Sequence, residues 1–131
     1  MTIFHIKVTT GRKFGGATQA NVYITLHGDE GSTGRIQLRN MASDSRDDQN
    51  FQLGKTDEFI IESNDRIGKL SKITIGHDNL EAGVENADWF LEKVEIACPQ
   101  ENMSWHFPCH EWLAMDKGDG KIERGLHPRP L

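Results

Sequence analysis

Phe4-His5-Ile6-Lys7-Val8-Thr9 alternates apolar and polar side chains with a period of two. A strand turns successive side chains to opposite faces, so this stretch predicts a half-buried antiparallel strand with Phe4, Ile6 and Val8 inward. The alternation recurs down the chain. Val22, Ile24 and Leu26 interleave with Tyr23, Thr25 and His27, and Ile36 and Leu38 with Gln37 and Arg39. Phe59 and Ile61 share a face, as do Ile73 and Ile75, then Val94 and Ile96. No long stretch follows the 3.6-residue period of an amphipathic helix. Roughly seven or eight short strands with turn-rich connections predict an all-β sandwich or barrel. The reading places it on residues 3–113, with Ile6, Val8, Val22, Ile24, Leu26, Phe59, Ile61, Ile73, Ile75, Val94 and Ile96 in its core.

Connection lengths carry further information. Gly28-Asp29-Glu30-Gly31, Asn64-Asp65-Arg66-Ile67-Gly68 and Pro99-Gln100-Glu101-Asn102 are tight turn signals. The connections over 11–20, 40–55 and 77–88 are long. Antiparallel strands alternate in direction, so the first, third and fifth connections emerge at one end of the sandwich. The long ones hold those three places. Long loops on a rigid scaffold are where binding usually sits.

The chain has 131 residues, of which 36% are hydrophobic and 27% charged, the balance of one globular domain. No apolar run is long enough to span a bilayer as a helix. The start, Met-Thr-Ile-Phe-His-Ile-Lys, lacks the charged and apolar regions of a signal peptide. A net charge of -5 weighs against general binding to nucleic acid or anionic lipid unless a cation is added. Basic and aromatic residues do not interleave on any strand face, so no nucleic-acid partner is expected. Trp89, Trp105 and Trp112 read as core or edge-covering residues. Cys98 and Cys109 are the two cysteines. They read as small, partly buried residues in a reducing compartment. A disulfide is one alternative. A zinc site with His106 and His110 is another, although that spacing matches no usual ligand pattern.

The long connections are acidic. Asp78, Glu81, Glu85 and Asp88 crowd the fifth, with Asn79 and Asn86 among them, and no Lys or Arg occurs between Lys72 and Lys93. The third adds Asp44, Asp47, Asp48, Asn40 and Asn50. Such loops are either solvated or bridged by a cation. Calcium takes about six to eight oxygen ligands in tolerant geometry, which loops at one pole of a sandwich can supply. The spacing is not that of an EF-hand. Catalytic signatures are missing: no Gly-x-Ser-x-Gly, no His-Glu-x-x-His, no phosphate-cradling loop before a helix. His77 beside Asp78 reads as a strand end that closes its loop by hydrogen bonding. No enzyme is expected.

Val8-Thr9-Thr10-Gly11 followed by Gly16-Ala17-Thr18-Gln19-Ala20-Asn21-Val22 resembles the first two strands of the PLAT (polycystin–lipoxygenase–alpha-toxin) or lipoxygenase homology domain. Ile75-Gly76-His77-Asp78-Asn79, then Trp89-Phe90-Leu91-Glu92-Lys93-Val94-Glu95-Ile96, resembles its most characteristic strands. Trp105-His106-Phe107-Pro108-Cys109 and Trp112-Leu113-Ala114 resemble its C-terminal strand. Asp119-Gly120-Lys121-Ile122 is similar to the repeats of lipoxygenase homology domain-containing proteins. The resemblance covers nearly the whole chain, in order. It assigns residues 1–115 to the PLAT domain and leaves 116–131 as a C-terminal turn and tail.

The resemblance implies a C2-like, eight-stranded antiparallel β-sandwich of two four-stranded sheets. It implies a non-catalytic targeting or interaction module, cytoplasmic and peripheral at the membrane, carried within a larger multi-domain protein. It implies calcium between the first, third and fifth loops, with Gly16 and Thr18 offering carbonyls and Asn40, Asp48, Asn50, Asp78 and Asp88 offering side-chain oxygens. Gln19 departs from the pattern, since relatives often carry Asp there. Asp78 and Asn79 have an alternative role, holding the fifth loop through hydrogen bonds to backbone amides. At the loop tips, Phe14 and Leu80 are candidate membrane contacts, flanked by Arg12 and Lys13. Folding back to cap the sandwich is their other reading. Two functions follow: calcium-assisted binding to membrane lipid through the long loops, and calcium-independent binding of a protein partner.

Overall fold

The structure, a computed structural model, describes residues 2–13, 21–38, 51, 53–63, 66–78, 88–114 and 118–129. Eight strands follow in order: β1 (Thr2–Thr10), β2 (Val22–Gly28), β3 (Ile36–Gln37), β4 (Thr56–Ser63), β5 (Leu70–His77), β6 (Trp89–Cys98), β7 (Met103–Leu113) and β8 (Glu123–Leu126). A single 3₁₀ turn, Pro99–Glu101, is the helical element among the described residues. The strands form two four-stranded sheets, β4-β1-β6-β7 and β3-β2-β5-β8, with every pairing antiparallel.

Alternation explains the packing. Phe4, Ile6 and Val8 of β1, Phe59 and Ile61 of β4, and Val94 and Ile96 of β6 fill the inner face of the first sheet. Val22, Ile24 and Leu26 of β2 face them with Ile73 and Ile75 of β5. All are at most 5% exposed, so the period-two reading identified the core position by position. Leu126 of β8 closes its edge, in a stretch that the sequence reading treated as turn and tail. Arg124 fastens that strand across the sandwich, donating from Nη2 to the Trp112 carbonyl of β7 at 3.0 Å and to Asp119 at 2.7 Å. Beyond β8 the chain returns to the first sheet, where the Arg129 amide donates to the His106 carbonyl at 2.8 Å.

The strand ends sort as the connection lengths predicted. Thr10, Thr56, Val22, His77, Trp89 and Leu113 meet at one pole, through the pairs Thr9–Thr56, Val22–His77 and Trp89–Leu113. The long connections leave there. The opposite pole is tight: a Cβ on Gly28 would run into the Ile67 carbonyl, so the chain passes only as glycine.

Trp89 seals the loop pole. It is fully buried, donates from Nε1 to Thr10 Oγ1 at 3.0 Å, and meets the Phe51 ring edge-on at 5.2 Å between centroids. Phe51 in turn stacks on Phe59 at 5.8 Å. Replacing Trp89 with Ala is expected to cost about 3–5 kcal/mol. Urea unfolding checks this, and a melting temperature equal to the parent's contradicts the sealing role.

Candidate functional site

Loop stems define the candidate site. At the end of β1 the Thr10 amide donates to the Lys55 carbonyl at 3.0 Å and the Gly11 amide to the Phe90 carbonyl at 2.9 Å. A Cβ on Gly11 would sit 2.5 Å from the Phe90 ring, so glycine lets the first loop depart flush against β6. The third loop returns through Phe51, whose amide donates to Asp57 Oδ2 at 2.8 Å. Asp57 is buried, and its second oxygen lies 3.2 Å from Lys55 Nζ. Phe51 holds a left-handed φ of 60°, a conformation that costs a non-glycine residue energy and is here held by its ring contacts and by Asp57.

First and fifth loops are joined at their bases by one carboxylate. Asp78 Oδ2 accepts from Asn21 Nδ2 at 2.7 Å and Oδ1 from the Asn21 amide at 3.2 Å, while the Asp78 amide donates to the Asn21 carbonyl at 3.1 Å. Gln37 extends this network, donating to Asn21 Oδ1 at 3.0 Å. Next to Asp78, the buried His77 donates from Nε2 to the Leu113 carbonyl at 2.7 Å and joins the two sheets. The sequence reading has His77 close the fifth loop by hydrogen bonding; this bond runs instead to β7 of the opposite sheet, and residues 79–87 of that loop lie outside the described residues. Asp88 is half-buried at the start of β6, before Trp89. Because His77 and Trp89 both meet Leu113, Asp78 and Asp88 flank the same strand end.

Of the positions that the resemblance assigns to calcium, Asp78 and Asp88 are described. Gly16, Thr18, Asn40, Asp48 and Asn50 lie outside the described residues, as do Phe14 and Leu80. Among the described residues no three His, Cys, Asp or Glu side chains gather closely enough to hold a metal. The zinc alternative for Cys98, His106, Cys109 and His110 fails on register. Cys98 pairs with Met103 near one end of β6, whereas His110 contacts Glu92 at 2.6 Å near the other. Six residues of strand separate those points, about 20 Å. Both thiols are free.

Several built features escaped sequence reading. A bulge between Leu91 and Lys93 places His110, at a φ of 55°, against Glu92. The His110 and Trp112 rings approach Phe90 edge-on, and Lys13 Nζ sits 5.4 Å above it. Phe90 is thus buried on the outside of the sheet. A second feature is a groove of about 520 Å³ on the outer face of the first sheet, lined in part by His5, Lys7, His106 and Arg129.

Together these features define a C2-shaped antiparallel sandwich whose scaffold presents three loops at one pole and carries no recognisable catalytic set among the described residues. Comparison places it further: the PLAT/LH2 domain family matches over residues 4–126, and the chain belongs to that family. It is 37% identical over 123 residues to human Lipoxygenase homology domain-containing protein 1, covering 94% of this chain and 6% of that protein. It is 33% identical over 127 residues to human Polycystin-1-like protein 3, covering 95% of the chain and 7% of that protein. The chain therefore spans a small part of the relatives it matches, which carry this unit within far longer, multi-domain chains. Among solved structures, coral 8R-lipoxygenase, described in terms of calcium activation via a C2-like domain, superposes with a TM-score of 0.76 at 22% identity, covering 96% of this chain and 17% of that one.

Burial pushes the Cys109 thiol up to about 11. At neutral pH the native chain therefore keeps it protonated, and the thiolate is the reactive form. Iodoacetamide labelling of native protein, read by mapping the Cys109 peptide, is expected to be slow at pH 7 and to accelerate as pH rises toward 11. Rapid labelling at pH 7 contradicts this. A separate test addresses the loop base: Asn21→Ala should cost about 1 kcal/mol in urea unfolding, as for a solvent-exposed hydrogen-bonded pair.

Proposed function

We propose that this chain is a non-catalytic targeting module that binds membrane lipid with the help of calcium, through the loops of the Trp89 pole. The carrying observation is that the first, third and fifth loops leave one pole whose lip bears Asp78 and Asp88. The chemistry of the donor set suits calcium: hard oxygens of carboxylates, amides and carbonyls, with no sulfur or imidazole. Asp78 and Asp88 would hold the ion with Gly16, Thr18, Asn40, Asp48 and Asn50. Calcium would offset the acidic loops and let them approach anionic headgroups. The calcium activation described for the coral lipoxygenase supports this reading. The unpaired thiols Cys98 and Cys109 support a reducing, cytoplasmic setting, peripheral at the membrane.

Phe14 and Leu80 are proposed as the inserting tips. Burying each contributes about 1.5–3 kcal/mol. Two give roughly 3–6 kcal/mol, against about 4 kcal/mol for a millimolar dissociation constant. One domain then binds weakly, and firm attachment takes a second contact.

A second reading has its own support. Both Asp78 oxygens are already engaged by Asn21, which is what a purely structural carboxylate does. On that reading the domain binds a protein partner without calcium.

Calorimetry and thermal unfolding with calcium, then liposome sedimentation with and without chelator, separate the two. Calcium binding should raise the melting temperature by mass action. Asp78→Asn with Asp88→Asn should abolish that rise, and Phe14→Ser with Leu80→Ser should abolish calcium-dependent sedimentation in a folded protein. No shift at millimolar calcium overturns the first reading. Calcium-insensitive capture of one protein partner establishes the second.

A further inference from the structure

An edge strand leaves a row of amides and carbonyls without ladder partners, and the two sheets have four such edges, β3, β4, β7 and β8. Three are blunted. β3 is two residues long and β8 four. β7 carries Pro108, a bulged register and the left-handed His110, and Arg129 pairs with it at His106. β4 has none of these devices. It runs for eight residues without proline, glycine or lysine, and pairs with β1 in one unbroken register.

Register also fixes which backbone groups face outward. The Thr10 amide donates to the Lys55 carbonyl at 3.0 Å, in line with the β1–β4 pairs. Bonded and open pairs alternate in an antiparallel ladder, so Val8–Asp57, Ile6–Phe59 and Phe4–Ile61 are bonded. Lys7–Glu58, His5–Ile60 and Ile3–Glu62 are open. The Ile3 amide agrees, since it donates at 2.7 Å to Gln100, beyond the end of β6. Glu58, Ile60 and Glu62 therefore turn their amides and carbonyls to the free edge, and their side chains are exposed on the outer face.

That outer row is Glu-Ile-Glu. Ile60 is 42% exposed, and Leu53, just before the strand, is the other exposed large hydrophobic among the described residues. The Glu58 pair with Lys7, at 3.5 Å, is an exposed one of little strength and leaves Glu58 71% exposed. Glu62 makes no ion pair among the described residues. Charge alone would protect an edge, but an isoleucine exposed at its centre does not serve protection. A second copy fits poorly. Antiparallel pairing centred on Ile60 sets Glu58 of one chain against Glu62 of the other, and a register one step away sets a carboxylate against Ile60.

We propose that β4 receives an extended segment of a partner protein as an added antiparallel strand, with basic, apolar and basic side chains at alternate positions opposite Glu62, Ile60 and Glu58. Main-chain bonds supply the attachment and the three side chains the selectivity. The proposal rests on the protein-partner reading, for which it names the surface, and calcium at the loop pole takes no part.

The probe is the capped peptide Thr-Lys-Thr-Val-Thr-Lys-Thr, titrated in chelator and followed by amide NMR and hydrogen exchange. The expected result is a saturable shift along β4, with exchange slowed at the Glu58, Ile60 and Glu62 amides. N-methylation of the peptide valine removes a ladder donor and should abolish binding, whereas N-methylation of the threonine beside it should not. Glu58→Lys with Glu62→Lys should weaken binding by at least about tenfold and create binding of the same peptide with Glu in place of Lys. If that variant does not fold, Glu58→Gln with Glu62→Gln should lose the preference between the two peptides. No saturable shift by about 10 mM overturns the proposal. So does equal binding of the N-methylvaline peptide, which means charge attraction alone. Slow exchange at the three amides before peptide is added means that the edge is already covered, by a second copy if protection rises with protein concentration and by the chain itself if it does not, and either overturns it. Capture of a protein partner that survives the charge reversal overturns this surface and leaves the protein-partner reading standing.

Discussion

The indole of Trp89 is the contact on which the working end of this domain depends. A two-sheet sandwich is closed along its faces by side chains, but its ends stay open wherever chain must leave. Here three long connections leave at one end. Trp89 fills the opening, Thr10 satisfies its N–H, and Phe51 covers it edge-on. Phe51 belongs to the end of the third loop, Thr10 precedes the first, and Trp89 follows the fifth. One aromatic cluster therefore anchors a stem of each loop. Loss of the seal would release all three together, which couples stability to any function carried at that pole.

Above the seal, polar contacts set the loop bases. His77 ties β5 to β7, and Asp78 ties the fifth loop to the first through Asn21. A carboxylate that accepts two hydrogen bonds keeps further lone pairs, so the staple and a cation are compatible in principle. They differ in what they ask of the backbone. The staple holds Asp78 in place before any ion arrives, which lowers the ordering cost of binding. A site whose ligands were all free would incur that cost in full. On the calcium reading, Asn21, not an acidic residue, is the position that would separate a preorganised site from a merely acidic loop.

Alternation made the core legible because burial on one face leaves a period of two in the chain itself. Phe4 to Val8, Val22 to Leu26 and Ile73 to Ile75 needed no tertiary information. Phe51 did not show: it is a lone aromatic in a polar loop, and neither its φ of 60° nor its ring partners have a local signature. Nor did β8, whose four residues offer one inward apolar side chain, Leu126. The pole was legible from connection length, since direction alternates whatever the residues are. The groove was invisible because it arises from register. His5, Lys7 and His106 are ordinary outward residues until three strands align them, and register is set by the whole sheet.

Two separated surfaces on one small scaffold suit a domain that is carried inside long chains. The relatives hold this unit as about 6–7% of their length, so it works there beside other domains. A unit in that setting gains more from a second modest contact than from one strong one, because linked contacts multiply through effective concentration. On β1 the groove lining begins at Lys7, three residues and about 10 Å from Thr10 at the loop pole, and extends to His5. That spacing is fixed by strand geometry and needs no linker. Charge differs between them: the fifth loop carries Asp78, Glu81, Glu85 and Asp88 with no Lys or Arg, while the groove is lined by Lys7 and Arg129 together with Glu95. On the proposed reading, a pole that would take a cation and a flank of mixed charge would not compete for one ligand. They would respond to different signals, and either could hold the domain while the other exchanges.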